Sequence, residues 1–352
     1  MKRLNKNLFI GLFVSLTSLQ LYATDEFIKK ISKSFEVNKD ATLSVKNKFG
    51  KVQCENWDKN TISIDVTITL RTTSQEKANK YFEQVNVEIT GNSTYVSAVT
   101  DLDGDIFGRN NCDLTIDYMI MIPRTINVEL SNKFGEIIFA ETSGSAAIDL
   151  GYGSLNVKRL TGENNKIEMQ FSDGSTIGFM KSATIDLKYS ELDIDEAVSL
   201  NGESKFTELN IGKVDVLTLE TGYDDDFIET VRSMDIEADF SDIEVRQLTE
   251  SMTVNFDYGG LKVKEVTRNF KLVDISSSFS DANIGFNPEA SFRLSAMVKM
   301  GDLSYPSENA RISVTELSYT SNKYEGLVGM NSETGSKVLI NSGNSGVTLF
   351  YR

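Results

Sequence analysis

The sequence predicts an all-β protein: a parallel β-solenoid (β-helix) of units about eighteen residues long, with an aromatic ladder, capped by a small β-rich N-terminal module containing one helix. Three observations predict it. An aromatic residue followed by a small or polar one recurs through the C-terminal two-thirds of the chain. Apolar and polar residues alternate with period two around each aromatic. The alternation then slips by one residue just after the aromatic.

The recurring pairs are Phe134-Gly135, Tyr152-Gly153, Phe171-Ser172, Tyr189-Ser190, Phe206-Thr207, Tyr223-Asp224, Phe240-Ser241, Tyr258-Gly259 and Phe279-Ser280, continued by Met300-Gly301. Their spacings are 18, 19, 18, 17, 17, 17, 18, 21 and 21 residues. Phe49-Gly50 has the same pattern far upstream. Before Tyr189, Ile185 and Leu187 alternate with Asp186 and Lys188, which marks a strand with one buried face. Leu192 and Ile194 follow at odd steps. A bend at Ser190 would return them to the same interior, and Gly, Ser, Thr and Asp suit such a corner. The slip recurs at Ile137, Leu155, Leu209, Ile243, Leu261, Ala282 and Leu303. Two units depart: Gly174 and Thr176 follow Phe171, and Asp226 follows Tyr223, where a bulge is expected.

A solenoid must turn at the same place in every coil, so it explains a corner repeated at fixed phase better than a hairpin meander does. Stacking would align the aromatics in a ladder inside the solenoid. The strict Phe/Tyr alternation from Phe134 to Phe279 favours two units per coil, roughly 36 residues, with Tyr189 nearer Tyr152 than Phe171. A membrane barrel would need unbroken strands of ~9–11 residues, and the slip interrupts them sooner.

The division that follows is a signal peptide over 1–23, an N-terminal module over 24–125, repeats over 126–323 and closing strands over 324–352. Lys2, Arg3 and Lys6 precede the short apolar stretch Leu8–Leu16, and Ala23 ends the segment, as in a cleavable export signal. In the module, Ile62, Ile64, Val66, Ile68 and Leu70 read as an alternating strand. Thr73 and Glu76 read as a capping box, and Ala78, Tyr81, Phe82 and Val85 fall at helical spacing. Strands are expected over 85–90, 94–99 and 113–122, with a boundary near Pro123. At the other end, Val338–Ile340 and Val347–Phe350 read as strands between glycines.

The net charge of −15 rises in magnitude to −18 once the three basic residues of the signal are removed. Such a chain repels nucleic acid and anionic lipid. The absence of His excludes a Ser-His-Asp triad and any His-based zinc site. Cys54 occupies an inward position of its unit, and export would permit a bond to Cys112 in its polar loop. Asp101, Asp103 and Asp105 offer alternating carboxylates of the kind Ca²⁺ takes, although a solvated acidic turn fits as well. Asp224-Asp225-Asp226 reads as an exposed turn or a calcium-binding corner. Outward positions offer Asp186, Asp193, Asp195, Glu208, Asp235 and Glu244, from which a pair could hydrolyse a glycoside.

Phe35-Glu36-Val37 and the run Leu43-Ser44-Val45-Lys46-Asn47-Lys48-Phe49-Gly50-Lys51-Val52 resemble the start of a bacterial family of exported adhesin-like repeat proteins, the auto-transporter adhesin-head type. Asp117–Pro123 leading into Val128-Glu129-Leu130, and Tyr324-Glu325-Gly326-Leu327-Val328-Gly329, resemble that family's entry and closing segments. The resemblance spans the mature chain. It implies a β-solenoid and an envelope or surface location, with no catalytic residues to carry over. The expected function is a non-catalytic exported envelope or surface scaffold, adhesin-like, presenting an extended β face to a glycan, cell-wall or protein ligand. It is expected to reside in the periplasm, outer envelope or cell surface, with no nucleic-acid partner and no transmembrane segment. The alternative is a carboxylate-based polysaccharide-active β-helix enzyme.

Overall fold

The structure is a computed structural model that describes residues 25–103 and 113–352. The signal segment, Asp105 and Cys112 lie outside the described residues, and with them the Cys54–Cys112 pairing.

The N-terminal elements are β1 (Asp25–Glu36), β2 (Thr42–Lys48), β3 (Val52–Asn56), β4 (Thr61–Thr72), α1 (Gln75–Gln84), β5 (Val85–Gly91), β6 (Tyr95–Leu102) and β7 (Asp113–Ile122). The alternating residues Ile62 to Leu70 of β4 are all buried. Strand β4 is a central strand, antiparallel to β1 on one side and to β7 on the other. Helix α1 starts one residue later than the capping box suggests. Ser74 is its cap, its hydroxyl accepting from Lys77 N, and Ala78 is its buried residue.

A stack of parallel rungs follows. Strands β2 and β3, joined through the corner at Phe49, already form the first rung: both pair in parallel with β8 (Asn127–Thr142). The next strands are β9 (Ala146–Leu160), β10 (Asn165–Gln170), β11 (Ser175–Lys188), β12 (Glu191–Lys205), β13 (Glu208–Gly222), β14 (Asp225–Asp239), β15 (Asp242–Asp257) and β16 (Gly260–Val266). Each lies parallel to its neighbour one unit away. Leu192 pairs with Leu209, Leu209 with Asp226, and Asp226 with Ile243. One coil therefore holds one unit. The two-unit coil is overturned, because Tyr189 stacks on Phe171 at 5.0 Å and on Phe206 at 4.9 Å.

The slip has a different cause from the one the pattern suggests. The bend sits at the aromatic itself, not at the residue behind it: Tyr189 takes φ 51, in the left-handed region. Leu187 before it and Leu192 after it are both fully buried, whereas Tyr189 is exposed. The corner throws its own side chain out and returns its neighbours to the interior. The extra residue of the Phe171 unit is taken up at Gly174, whose φ of 62 suits a residue without Cβ. Ser175 then takes the place opposite Leu192. The Tyr223 unit has no bulge at its corner, since Asp226 stays in register with Leu209 and Ile243. The register shift between β14 and β15 falls instead between Val231 and Ser233.

The C-terminal strands are β17 (Leu272–Ser278), β18 (Asp281–Phe286), β19 (Phe292–Lys299), β20 (Asp302–Ser304), β21 (Ala310–Ser318), β22 (Ser321–Val328), β23 (Lys337–Gly343) and β24 (Gly346–Tyr351). The last two do not close the stack. Strand β23 lies between β17 and β19, parallel to both, and β24 lies between β18 and β20. The final rung of the chain is thus slotted between two earlier ones. Antiparallel pairing finishes both ends: β22 and then β21 extend β19, while β6 and β7 join the first rung in parallel and carry β5 and β4–β1 antiparallel beyond them. Open sheet edges template unwanted pairing, and a change of strand direction and topology limits how far the stack can propagate. One continuous hydrophobic core, from Val37 to Leu349, runs through the molecule. No helix among the described residues is long and apolar enough to cross a membrane.

Candidate functional site

The most regular surface feature is the corner itself. Ten rings, from Phe49 through Phe134, Tyr152, Phe171, Tyr189, Phe206, Tyr223, Phe240 and Tyr258 to Phe279, stack face to face at centroid distances of 4.8–5.2 Å. From Phe134 to Phe279 each is 46–55% exposed, so the ladder is on the outside and not in the core. All ten have φ between 50° and 62°. That conformation costs roughly 1–2 kcal/mol for a residue with a Cβ. Each stacked pair recovers ~0.5–1.5 kcal/mol beyond the area it buries. The two effects are of similar size, which explains how aromatic residues hold a position that glycine or asparagine would occupy with less strain.

Behind the rings runs a buried polar seam. The residue after the aromatic donates its hydroxyl to the carbonyl two residues back: Ser172 to Gln170, Ser190 to Lys188, Thr207 to Lys205, Ser241 to Asp239 and Ser280 to Ser278. The same position accepts from the previous rung's backbone. Ser172 N donates to Ser190 Oγ at 3.2 Å, and Asp224 N to Ser241 Oγ at 3.1 Å. The hydroxyl satisfies groups that the turn would otherwise strand in a dry interior.

Because the rings stack on one another, their faces are occupied and their edges point to solvent. The strip therefore presents Phe edges and, at every second rung, a Tyr hydroxyl at Tyr152, Tyr189, Tyr223 and Tyr258. Two rungs at ~4.8 Å place these hydroxyls about 10 Å apart. Glu191, Glu208, Asp225 and Asp242 flank the strip in lateral register, one carboxylate per rung. On the opposite flank lie Lys188 and Lys205, also in register.

The outward carboxylates named from the sequence divide between the two halves of the rungs. Asp186 and Asp235 lie before a corner, and Asp193, Asp195, Glu208 and Glu244 after one. Asp186 is held by Lys188 at 2.9 Å and Glu244 by Lys262 at 2.9 Å. Asn210 Nδ2 donates to Asp193 at 3.0 Å and to Glu208 at 3.4 Å. Exposed contacts of this kind contribute about 0–1 kcal/mol each.

Asp101 and Asp103 stand exposed at the end of β6, where Asp101 Oδ1 accepts from Leu102 N at 3.0 Å. Asp105 lies outside the described residues. Cys54 is fully buried, and burial, reinforced by the charge of Glu55, pushes its thiol up to about 12, so it packs as a small apolar group. The Asp224–Asp226 run departs from a solvated turn. Asp225 is exposed, but Asp224 and Asp226 are buried. The signal was present in the sequence, because Asp226 occupies the inward place that Leu209 and Ile243 take in the adjoining rungs.

No family model matches the sequence, and no curated protein matches it. Solved structures do resemble the fold. A proposed lipid-binding protein from Parabacteroides distasonis aligns with 12% identity over 90% of this chain and 96% of its own, at a TM-score of 0.34. A proposed adhesin from Parabacteroides merdae aligns with 10% identity over 74% and 92%, at 0.32. A proposed adhesin from Parabacteroides distasonis aligns with 11% identity over 73% and 93%, at 0.31. Two of these three are proposed adhesins, the kind of protein whose segments the two ends of this chain resemble.

Proposed function

We propose that the chain is an exported, non-catalytic scaffold of the cell envelope or surface, a β-solenoid whose outer ladder binds an extended polymer laid along the stack. The observation that carries this reading is the aromatic strip: ten rings in one line, edge-outward, at a position where each costs backbone strain. The repeat of the tyrosine hydroxyls favours a glycan as the ligand. Two sugar residues of a stretched β-1,4-linked chain span a comparable length, so each second sugar would meet a hydroxyl in the same way. Stacking of sugar rings on aromatic faces is not the mode expected, because those faces are covered by neighbouring rings. Hydrogen bonds with the Tyr hydroxyls, and from sugar hydroxyls to the flanking carboxylates, would supply the contacts.

The test replaces Tyr152, Tyr189, Tyr223 and Tyr258 together with Phe. Phe already fills the intervening rungs, so the stack is kept and only the four hydroxyls are lost. Binding of the mature protein to immobilised linear β-1,4-glucan and chitin should fall at least tenfold in the variant, with an unchanged thermal midpoint. Equal binding by both proteins, or none by the wild type, would remove the glycan reading.

A further inference from the structure

Three rungs meet at the Tyr223 corner around a group of buried polar side chains. Asp224 and Asp226 are 3% and 4% exposed. Asp224 collects three donors: Thr207 N on Oδ1 at 2.7 Å, and on Oδ2 the Thr221 hydroxyl at 2.6 Å and Gly222 N at 3.3 Å. Asp226 has far less. Its Oδ2 lies 2.8 Å from the same Thr221 hydroxyl, and its Oδ1 is buried without a hydrogen-bond partner.

Thr221 carries a single hydroxyl proton. Given to Asp224, it leaves Asp226 Oδ2 facing an oxygen with nothing between them. Ser241 cannot supply the missing proton, because its hydroxyl donates to Asp239 O at 3.1 Å and accepts from Asp224 N. Among the described residues no ion pair reaches either carboxyl group. The groups facing this corner from the packed strands are mostly acidic: Glu208 and Glu220 on β13, Asp225 on β14, Asp242 and Glu244 on β15. Lys262 on β16 is engaged by Glu244, and Lys205 lies at the preceding corner.

We propose that Asp226 is a buried proton-binding site: a neutral carboxylic acid whose Oδ2–H donates to Thr221 Oγ1, which in turn donates to Asp224 Oδ2. Each short oxygen contact then holds one proton, and the inward position among Leu209 and Ile243 holds an uncharged group. Burial acts in the same direction and pushes the Asp226 carboxyl up to about 7; the Thr221 hydrogen bond opposes this, and the charges of Asp224 and Asp225 add to it. The folded chain therefore keeps a proton that the unfolded chain, with an ordinary value of 3.8, gives up. The site's contribution to stability is fully present below that ordinary value. It is lost as pH rises through about 7, so the central rung is weakened by alkali.

Asp226→Asn tests this on the full mature chain. The amide keeps the shape and can donate to Thr221, but it cannot ionise. Thermal midpoints of the two proteins, followed from about pH 5 to about pH 8, should diverge, the variant gaining on the wild type by several degrees as pH rises. Parallel curves would overturn the proposal. So would calcium chloride raising the midpoint of the wild type and not of the variant, which would put a metal ion in place of the proton. Should the variant fail to fold, infrared difference spectra of the wild type decide: a protonated-carboxyl carbonyl band must be present near neutral pH and vanish in alkali, and its absence refutes the site.

Discussion

The central rungs and the C-terminal rungs use the same corner but are assembled differently. From Glu191 to Asp257 each rung lies beside its successor in sequence. Beyond Leu272 the order breaks, because β23–β24 enters between β17–β18 and β19–β20. Its corner residue Asn344 takes φ 54, in line with Phe279 and Met300. Ser280 N donates to Ser345 Oγ at 3.1 Å, and Ser345 Oγ donates to Gly343 O at 2.9 Å. These are the bonds that Ser172 and Ser190 make between rungs consecutive in sequence. The comparison teaches that the corner's chemistry belongs to a place in the stack, not to chain order. It also explains why the ladder stops. Asn344 separates Phe279 from Met300, so the stack of rings has no eleventh member there.

The largest effect that can break this comparison comes from ending the chain after Met330. Strands β17 and β19 each lose a parallel partner, and Val338, Ile340, Val347 and Leu349 are removed from the core. Limited proteolysis followed by mass spectrometry should show β19–β22 newly cleaved while the rungs through β15 stay protected. Protection of β19–β22 unchanged by the truncation would mean that the C-terminal rung lies at the end of the stack after all. The smallest effect is expected at the outward face of a central rung. Asp193→Ala removes an exposed contact to Asn210 and should change unfolding free energy by less than ~0.5 kcal/mol in urea titration.

The repeat was legible because period-two alternation and its slip are local. Leu187, Leu192 and Ile194 are read as inward from the sequence and are buried. Which side of the wall Tyr189 occupies was not legible. A left-handed residue and an ordinary strand residue followed by a bend produce the same pattern of apolar neighbours, and only the backbone angle separates them. The Phe/Tyr alternation misled for a related reason, since a mixed stack of Phe and Tyr rings packs as well as a pure one. The insertion of β23–β24 leaves no local trace, because Val338, Ile340, Val347 and Leu349 would alternate identically at an end or in the middle. At the candidate site, the aromatic positions were visible, but their exposure was not. Asp226 was visible as an exception at an inward place, whereas the Thr221 hydroxyl that it shares with Asp224 was not.

Urea unfolding of Leu209→Ala, Phe240→Ala and Phe240→Gly, measured side by side, tests most directly whether the corner rings stand outside a shared interior. Leu209 lies in the core, so Leu209→Ala should cost ~2–5 kcal/mol. Phe240 is 49% exposed and stacked on two rings, so Phe240→Ala should cost about 1–2 kcal/mol. Phe240→Gly should cost less than Phe240→Ala, since glycine relieves the backbone strain at φ 55. The reverse order, with Phe240→Ala as damaging as Leu209→Ala and glycine worse than alanine, would place the ring inside and contradict the account.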